Sequence, residues 1–150
     1  MTYSSIVVGT DGSETAARAV SEAATMAVAD GARLIVVTAY TPDSEPGADV
    51  APDAVPEDLR HLLTDRVQAE ERAGHGRDLA LAGGAKGVVV QALEGDPAEV
   101  LLDTAKEFSA DLIVVGSRGL GRTAHFILGS VAATVAHHAP CDVLVAHTTS

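Results

Sequence analysis

Aromatic residues and cysteine are scarce in this chain. Tryptophan is absent, and the remaining aromatic residues are two Tyr and two Phe, so Val, Leu, Ile and Ala must fill the interior of a chain that is 47% hydrophobic. The one cysteine, Cys141, excludes an internal disulfide and is compatible with a reducing compartment. We interpret it as a small buried hydrophobic residue rather than a catalytic thiol. No stretch is long enough for a membrane span and the amino terminus has no charged n-region, so we expect a cytoplasmic protein.

Positive charge is also scarce. The 150 residues include 10 Lys+Arg against 21 Asp+Glu, a formal net charge of −11, which disfavours nucleic acid because its phosphates require a basic surface. Acidic residues are nevertheless absent from Leu112 to Cys141, where Arg118 and Arg122 are the charged residues. Such a cationic segment is suited to a small polyanion. The alternative is that both arginines are ordinary solvated loop residues.

Several common functional motifs are missing. The only lysines, Lys86 and Lys106, lie outside any glycine loop, which excludes a P-loop. The segment Gly119–Ala124 fits a dinucleotide fingerprint, but it follows the fourth predicted strand and has no acidic residue about 20 positions further on. The sequence contains neither HExxH nor G-x-S-x-G, so we predict no zinc site and assign no catalytic residue.

Short apolar runs alternate with alanine- and glutamate-rich segments along the chain. The runs predicted as strands are Ser5–Gly9, Leu34–Tyr40, Gly87–Leu93, Leu112–Gly116 and Val143–His147. The segments predicted as helices are Glu14–Asp30, Glu57–Ala82, Ala98–Ser109 and Val131–Ala139. This βαβαβαβαβ order predicts right-handed crossovers and one three-layer α/β/α domain, residues 1–150, with a parallel doubly wound sheet.

Local signals refine the helices. Ser13 is predicted to cap the first helix, and Asp96 is predicted to cap the third in a capping-box arrangement with Glu99. Gly74 and Gly76 predict a bend or break in the second helix.

The segment before that second helix is rich in proline and acidic residues. It runs from Thr41 to Pro56, and we expect a mobile acidic loop there rather than a domain linker.

The most informative feature is a pair of glycine clusters. Gly116-Ser117-Arg118-Gly119 follows a predicted buried strand, and Gly129-Ser130 comes after nine further residues, at the start of the last predicted helix. In an open parallel sheet, ligands bind beyond the carboxyl ends of the strands, where helix amino termini offer N–H groups to anions. The clusters therefore predict a phosphate-binding cradle.

Asp11 lies just beyond the carboxyl end of the first predicted strand, on the same edge of the sheet. An aspartate there is suited either to a ribose hydroxyl or to a magnesium ion. The alternative is a turn aspartate that bonds its own backbone, as Asp-Gly pairs commonly do.

The motif Gly116-x2-Gly119-x9-Gly129-Ser130 resembles the nucleotide-binding pattern of the universal stress protein family. The segments IVVGTDGS, DLIVVGSRG and CDVLVAH resemble that family's landmarks, so the resemblance spans essentially the whole chain. It implies a five-stranded Rossmann-like sheet of order 3-2-1-4-5 and a homodimer formed through the last strand. The family's ATP-binding branch keeps this glycine pattern.

The resemblance also implies ligand contacts. Asp11, with Gly9 beside it, would contact the ribose or adenosine, and backbone groups at Ala39 would recognise adenine. Phosphates and ribose would be held by Gly116, Ser117, Arg118, Gly119, Arg122, Gly129, Ser130 and Val131. Phe126 departs from the basic residue that some members have nearby.

Three hypotheses remain open for the function. The first is an ATP-binding regulatory stress-response protein, with or without magnesium, whose occupancy controls an unknown protein partner. The second is a weak ATPase or autophosphorylating enzyme, against which the absence of a phosphate-clamping lysine counts. The third is a family member that binds cAMP or AMP.

The last predicted strand supports a dimer independently. Val143-Leu144-Val145 is apolar throughout, and an uncovered edge strand of this kind promotes association. Pairing across a two-fold axis removes the edge.

Overall fold

Strands of β-branched residues form the centre of the fold and helices cover both faces. The computed structural model describes residues 2–41, 55–117 and 129–147. Their elements are, in chain order, β1 Ser5–Gly9, α1 Glu14–Asp30, β2 Arg33–Tyr40, α2 Val55–Ala82, β3 Val89–Glu94, α3 Pro97–Glu107, β4 Leu112–Gly116, α4 Ser130–His138 and β5 Asp142–Ala146. The predicted alternation is confirmed, with bounds that differ from the predicted ones by two residues or fewer at each end.

All neighbouring strands are parallel, in the order β3-β2-β1-β4-β5. Ile6 of β1 is paired with Leu34 of β2 on one side and with Leu112 of β4 on the other. The chain therefore winds outward from β1 in both directions, and the carboxyl ends of β1 and β4 lie side by side. This is the switch point at which open α/β sheets bind ligands, and the predicted doubly wound fold of order 3-2-1-4-5 is confirmed.

The core has two layers because strand side chains alternate between the faces. Ile6, Val8 and Val36 pack with alanines of α1 and α2 on one face. Val7 and Ile35 pack with α3 and α4 on the other. These five side chains are fully buried, as expected for central parallel strands.

Two helix starts have the predicted caps. Ser13 Oγ accepts a hydrogen bond from Ala16 N at 3.1 Å, and Asp96 Oδ2 accepts one from Glu99 N at 3.2 Å. Both cap residues have extended backbone conformations. The side-chain oxygens thereby satisfy amide groups that have no partner inside their helices.

The prediction of a bend or break at Gly74 and Gly76 is wrong, because α2 continues through both. Gly76 is buried, and a Cβ there would lie 2.9 Å from Val36 Cγ1 and 3.4 Å from Thr10 Cγ2. Glycine thus lets the helix approach β1 and β2 closely, and packing offsets its cost in a helix of roughly 1 kcal/mol.

The predicted acidic loop Thr41–Pro56 falls mostly outside the described residues, which resume at Val55. Val55 and Pro56 already belong to α2, so the helix begins two residues before the predicted Glu57. Although α2 has 28 residues, no helix in the described ranges combines the length and the hydrophobicity needed to span a membrane.

At the amino edge of the sheet, Asp111 holds the start of β1. Its carboxylate accepts hydrogen bonds from Ser4 N and Ser5 N, each at 3.0 Å. Burial opposes ionisation of this carboxyl group and is the largest single influence, but the amide donors together outweigh it and lower the pKa of Asp111.

Two further aspartates bind the residue before this segment. Tyr3 N donates to Asp30 Oδ2 and the Tyr3 hydroxyl bonds to Asp142 Oδ2, both at 2.9 Å. The hydrogen bond to Asp142 raises the pKa of Tyr3, so the phenol stays protonated and donates. The beginning of the described chain is therefore fastened to α1 and β5 as well as to β4.

Candidate functional site

The loop after β1 forms a tight turn at the switch point. Thr10 N donates to Val37 O at 2.9 Å, which extends the pairing of β1 with β2 by one residue. Thr10 Oγ1 accepts from Gly12 N at 3.1 Å, and Asp11 Oδ1 accepts from Ser13 N at 2.9 Å. Gly12 has φ +85°, a conformation that favours glycine.

Asp11 thus bonds its own turn, as the alternative to a ligand contact predicted, but this bond uses only part of the hydrogen-bonding capacity of its carboxylate. One oxygen bonds the turn backbone, and the half-buried side chain has no second hydrogen bond to a described residue. A carboxylate has about four acceptor positions on its two oxygens. The turn fixes Asp11 in place and leaves acceptor capacity for a ligand hydroxyl.

The two glycine clusters meet in space. Ser117 follows the end of β4, where its N–H donates to Ala146 O of β5 at 2.8 Å. Gly129 N donates to Ser117 O at 3.0 Å. Gly116 and Gly129, far apart in sequence, therefore lie on either side of one residue at the carboxyl edge.

The amino terminus of α4 differs from those of α1 and α3. Its cap is Gly129, with φ −61° and ψ 159°, which has no side chain to satisfy the first amide groups. The first helical bond runs from Ala133 N to Gly129 O at 3.0 Å. The amides of Ser130 and Val131 therefore have no intrahelical acceptor. Together with the absence of an acidic residue in this first turn, they make an electropositive end suited to an anion.

Gly9 and Ala39 both occupy strand ends near this edge. A Cβ at Gly9 would lie 3.1 Å from both methyl carbons of Leu101, so glycine here permits close packing of α3. Ala39 is half-buried, pairs with Leu93 of β3 and packs against the core layer under α3 and α4. Both residues thus have structural reasons to be small.

The structure brings most of the predicted site to one edge. The described members are Gly9, Asp11, Ala39, Gly116, Ser117, Gly129, Ser130 and Val131. Arg118, Gly119 and Arg122 lie outside the described residues.

Arg72 of α2 is a residue that the sequence analysis missed. A Cβ on Gly12 would lie 2.8 Å from Arg72 Cγ and 3.2 Å from Cδ, so the arginine stem lies directly against the turn after β1. Nothing in the sequence distinguishes Arg72 from the other arginines of α2, because its position depends on how the helix packs across the sheet.

A buried hydroxyl also lies near the carboxyl end of β2. Thr38 is 1% exposed, and its Oγ1 has no hydrogen-bond partner among the described residues. By strand alternation it shares the face of Val36, over which Gly76 of α2 packs. Such a group is costly unless a water or a ligand satisfies it.

The single cysteine lies away from this edge. Cys141 precedes β5 at the opposite edge and is half-buried, whereas we predicted a buried residue. Its burial, and secondarily the negative charges of Asp142 and Asp111, raise the pKa of its thiol. Within residues 2–41, 55–117 and 129–147, no group of three or more His, Cys, Asp or Glu side chains is arranged to hold a metal ion.

Comparisons with known proteins extend the similarity beyond the glycine motif. The universal stress protein family model matches residues 2–147. Universal stress protein Rv1636 of Mycobacterium tuberculosis is 40% identical over 147 residues, which cover 98% of each chain. A crystal structure of a universal stress protein in complex with cAMP matches with a TM-score of 0.71 and 36% identity over 99% of this chain and 100% of that one. The universal stress protein of Archaeoglobus fulgidus in complex with dAMP matches with a TM-score of 0.65 and 26% identity over 97% and 98%.

Proposed function

Because the chain belongs to the universal stress protein family, we propose that it binds an adenine nucleotide at the carboxyl edge of its sheet. In this proposal it is a regulatory stress-response protein of the cytoplasm whose occupancy alters its contact with a protein partner. The observation that carries it is the Gly129–Ser117 hydrogen bond, which holds the uncapped amino terminus of α4 beside the end of β4. Two relatives that bind cAMP and dAMP, respectively, support the choice of an adenine nucleotide.

Different residues would contact different parts of the ligand. The amides of Ser130 and Val131 would bind phosphate oxygens. Ser117 and the predicted contacts Arg118, Gly119 and Arg122 would help to hold the phosphates and ribose. Asp11 would accept a ribose hydroxyl through the part of its carboxylate that the turn does not use. Backbone groups at Ala39 would recognise the base.

ATP is the ligand that the glycine motif favours, with magnesium bound through the phosphates when present. The cAMP-bound relative favours a second candidate, a cyclic or single phosphate held by the same α4 amides. The two candidates differ in how many phosphates must fit between Ser117 and α4.

Slow ATP hydrolysis or autophosphorylation is a further candidate, but rapid catalysis is disfavoured by charge placement. Both lysines are remote from the cradle, since Lys86 precedes β3 and Lys106 lies in the last turn of α3, at the amino edge. A lysine that clamps the phosphates is a recurrent part of fast phosphoryl transfer.

We also propose a homodimer that pairs two β5 strands. Val143, Leu144 and Val145 are half-buried, and within the described residues β5 pairs with β4 alone. Pairing with a second copy would cover this edge.

Calorimetric titration with ATP, ADP, AMP and cAMP tests the proposed ligand. We expect saturable binding of at least one of the four, weakened about tenfold or more in Asp11→Asn because the amide removes a charge-assisted acceptor for ribose. Asp103→Asn, an exposed site on α3, is the matched control and should bind as the wild type does. Failure of all four nucleotides to bind the wild type would refute the proposal, and light scattering of the same samples tests the dimer.

A further inference from the structure

Arg72 differs in its surroundings from the other arginines of α2 whose side chains the structure describes. Arg66 and Arg77 are ion-paired with Glu70 and Asp78 at 3.2 and 3.3 Å. Arg72 is exposed and forms no ion pair or hydrogen bond with another described residue. Its Cγ and Cδ would lie 2.8 and 3.2 Å from a Cβ on Gly12, so its stem packs against the turn after β1. The stem thus places a guanidinium group near the carboxyl edge, and no carboxylate of a described residue pairs with it.

The position of α2 decides which part of a nucleotide this guanidinium would meet. α2 packs over β2 and β3 on the same face as α1, whereas α4 lies on the opposite face and follows β4. The sheet order puts β1 between β2 and β4. A nucleotide with its phosphates on α4 and its ribose at Asp11 therefore points its base toward β2, the side of Arg72.

On the β2 side of the proposed site, the guanidinium of Arg72 would meet the base rather than the phosphates. Guanidinium is planar and weakly hydrated, and it stacks on aromatic faces. The buried Thr38 hydroxyl lies on the same face, near the end of β2.

We propose that the guanidinium of Arg72 stacks on the purine ring of the bound nucleotide and thereby sets the preference of this site for purines. This inference rests on the proposed nucleotide-binding function. It adds a specificity-determining residue from α2 to a site otherwise proposed at the carboxyl ends of β1, β2 and β4.

Substitution of Arg72→Gln tests the proposal, because glutamine keeps the stem atoms that contact Gly12 and removes the guanidinium. Dissociation constants are measured for adenosine, AMP, ATP and CTP. We expect Arg72→Gln to weaken binding of adenosine, AMP and ATP by a similar factor of about five to ten. The preference for ATP over CTP should fall as well. Arg66→Gln and Arg77→Gln, on the same helix, should leave all four constants within about twofold of the wild type.

The possible outcomes separate this inference from the proposed function. Unchanged affinities in Arg72→Gln would overturn the stacking contact while nucleotide binding stands. A loss that grows from adenosine to ATP would overturn it too, because the cation would then act on the phosphates. If the wild-type protein binds none of the ligands, the proposed function fails, and the inference fails with it. Circular dichroism checks that Arg72→Gln is folded.

Discussion

The amide of Gly129 donates a hydrogen bond to the carbonyl of Ser117 at 3.0 Å. This contact joins the end of β4 to the cap of α4 and so brings together two glycine clusters that nine residues separate beyond Gly119. It also orients the first amides of α4 toward the same edge as the turn that contains Asp11. The uncapped end of α4 and the carboxylate of Asp11 thus lie at one edge of the sheet.

The open cap of α4 gives a prediction about Gly129. Its φ of −61° and ψ of 159° are accessible to any L-residue, so Gly129→Asp should add a capping carboxylate and stabilise the helix by roughly 0.5 kcal/mol. That carboxylate would occupy the amides and repel phosphates, so nucleotide affinity should fall by about tenfold or more. Thermal denaturation and calorimetry measure the two effects.

Gly129→Asn is the matched control for this change, because it caps without charge. It should lose less affinity than Gly129→Asp for a nucleotide with phosphates. Equal affinity in wild type and Gly129→Asp would show that phosphates bind elsewhere.

The two glycines of α2 should respond oppositely to alanine. A Cβ at Gly76 would meet Val36 Cγ1 at 2.9 Å, so Gly76→Ala should overpack the core and lower the free energy of unfolding by about 1–2 kcal/mol. At Gly74, among the described residues outside the helix backbone, a Cβ would approach only Arg77 Nη2, at 3.8 Å. Gly74→Ala should therefore raise stability by about 0.5–1 kcal/mol through helix propensity. Urea denaturation of both variants measures this, and destabilisation by both would contradict the packing argument.

Acid should weaken the attachment of the β1 start to Asp111. The folded-state pKa of this carboxyl group lies below its ordinary value, so its contribution is fully present above the unfolded-state pKa and is lost as the pH falls through the folded-state pKa. Asp111→Asn should be less stable than the wild type at neutral pH, and the difference should shrink as the pH falls through the folded-state pKa. Denaturant titrations at several pH values measure it. A difference that is independent of pH would show that the charge does not matter.

The Cys141 thiol should react slowly with alkylating agents near neutral pH. Burial, followed by the negative charges of Asp142 and Asp111, raises the pKa of this thiol above its usual range, and the thiolate is the reactive form. Initial rates of iodoacetamide modification should therefore rise with a midpoint at a higher pH than that of an ordinary exposed cysteine. Asp142→Asn should lower that midpoint, and a midpoint unchanged by the substitution would leave burial as the cause.

The fold could be predicted from the sequence because each strand and helix has its own local sequence pattern. The apolar runs of β1 and β4 specified buried strands, and Ser13 and Asp96 specified helix starts, without information from distant residues. The prediction at Gly76 was wrong because helix propensity describes an isolated helix, whereas Gly76 of α2 packs against Val36 of β2.

Only part of the site could be predicted from the sequence, because contacts between distant elements leave no local pattern. The spacing of Gly116 and Gly129 predicted the position of the proposed phosphate site, because the order of strands and helices along the chain determines where their terminal backbone amides lie. Arg72 has no local signal, because its contact with Gly12 depends on the packing of α2 across the sheet. Arg118, Gly119 and Arg122 remain predictions.

Ser117 is bonded through both faces of its backbone, its amide to Ala146 of β5 and its carbonyl to Gly129. A shift of the α4 cap by a fraction of an ångström would therefore strain the last hydrogen bond of the outermost strand. In a dimer paired along β5, the backbones of Ser117 and Ala146 would then form a path from one ligand to the neighbouring subunit.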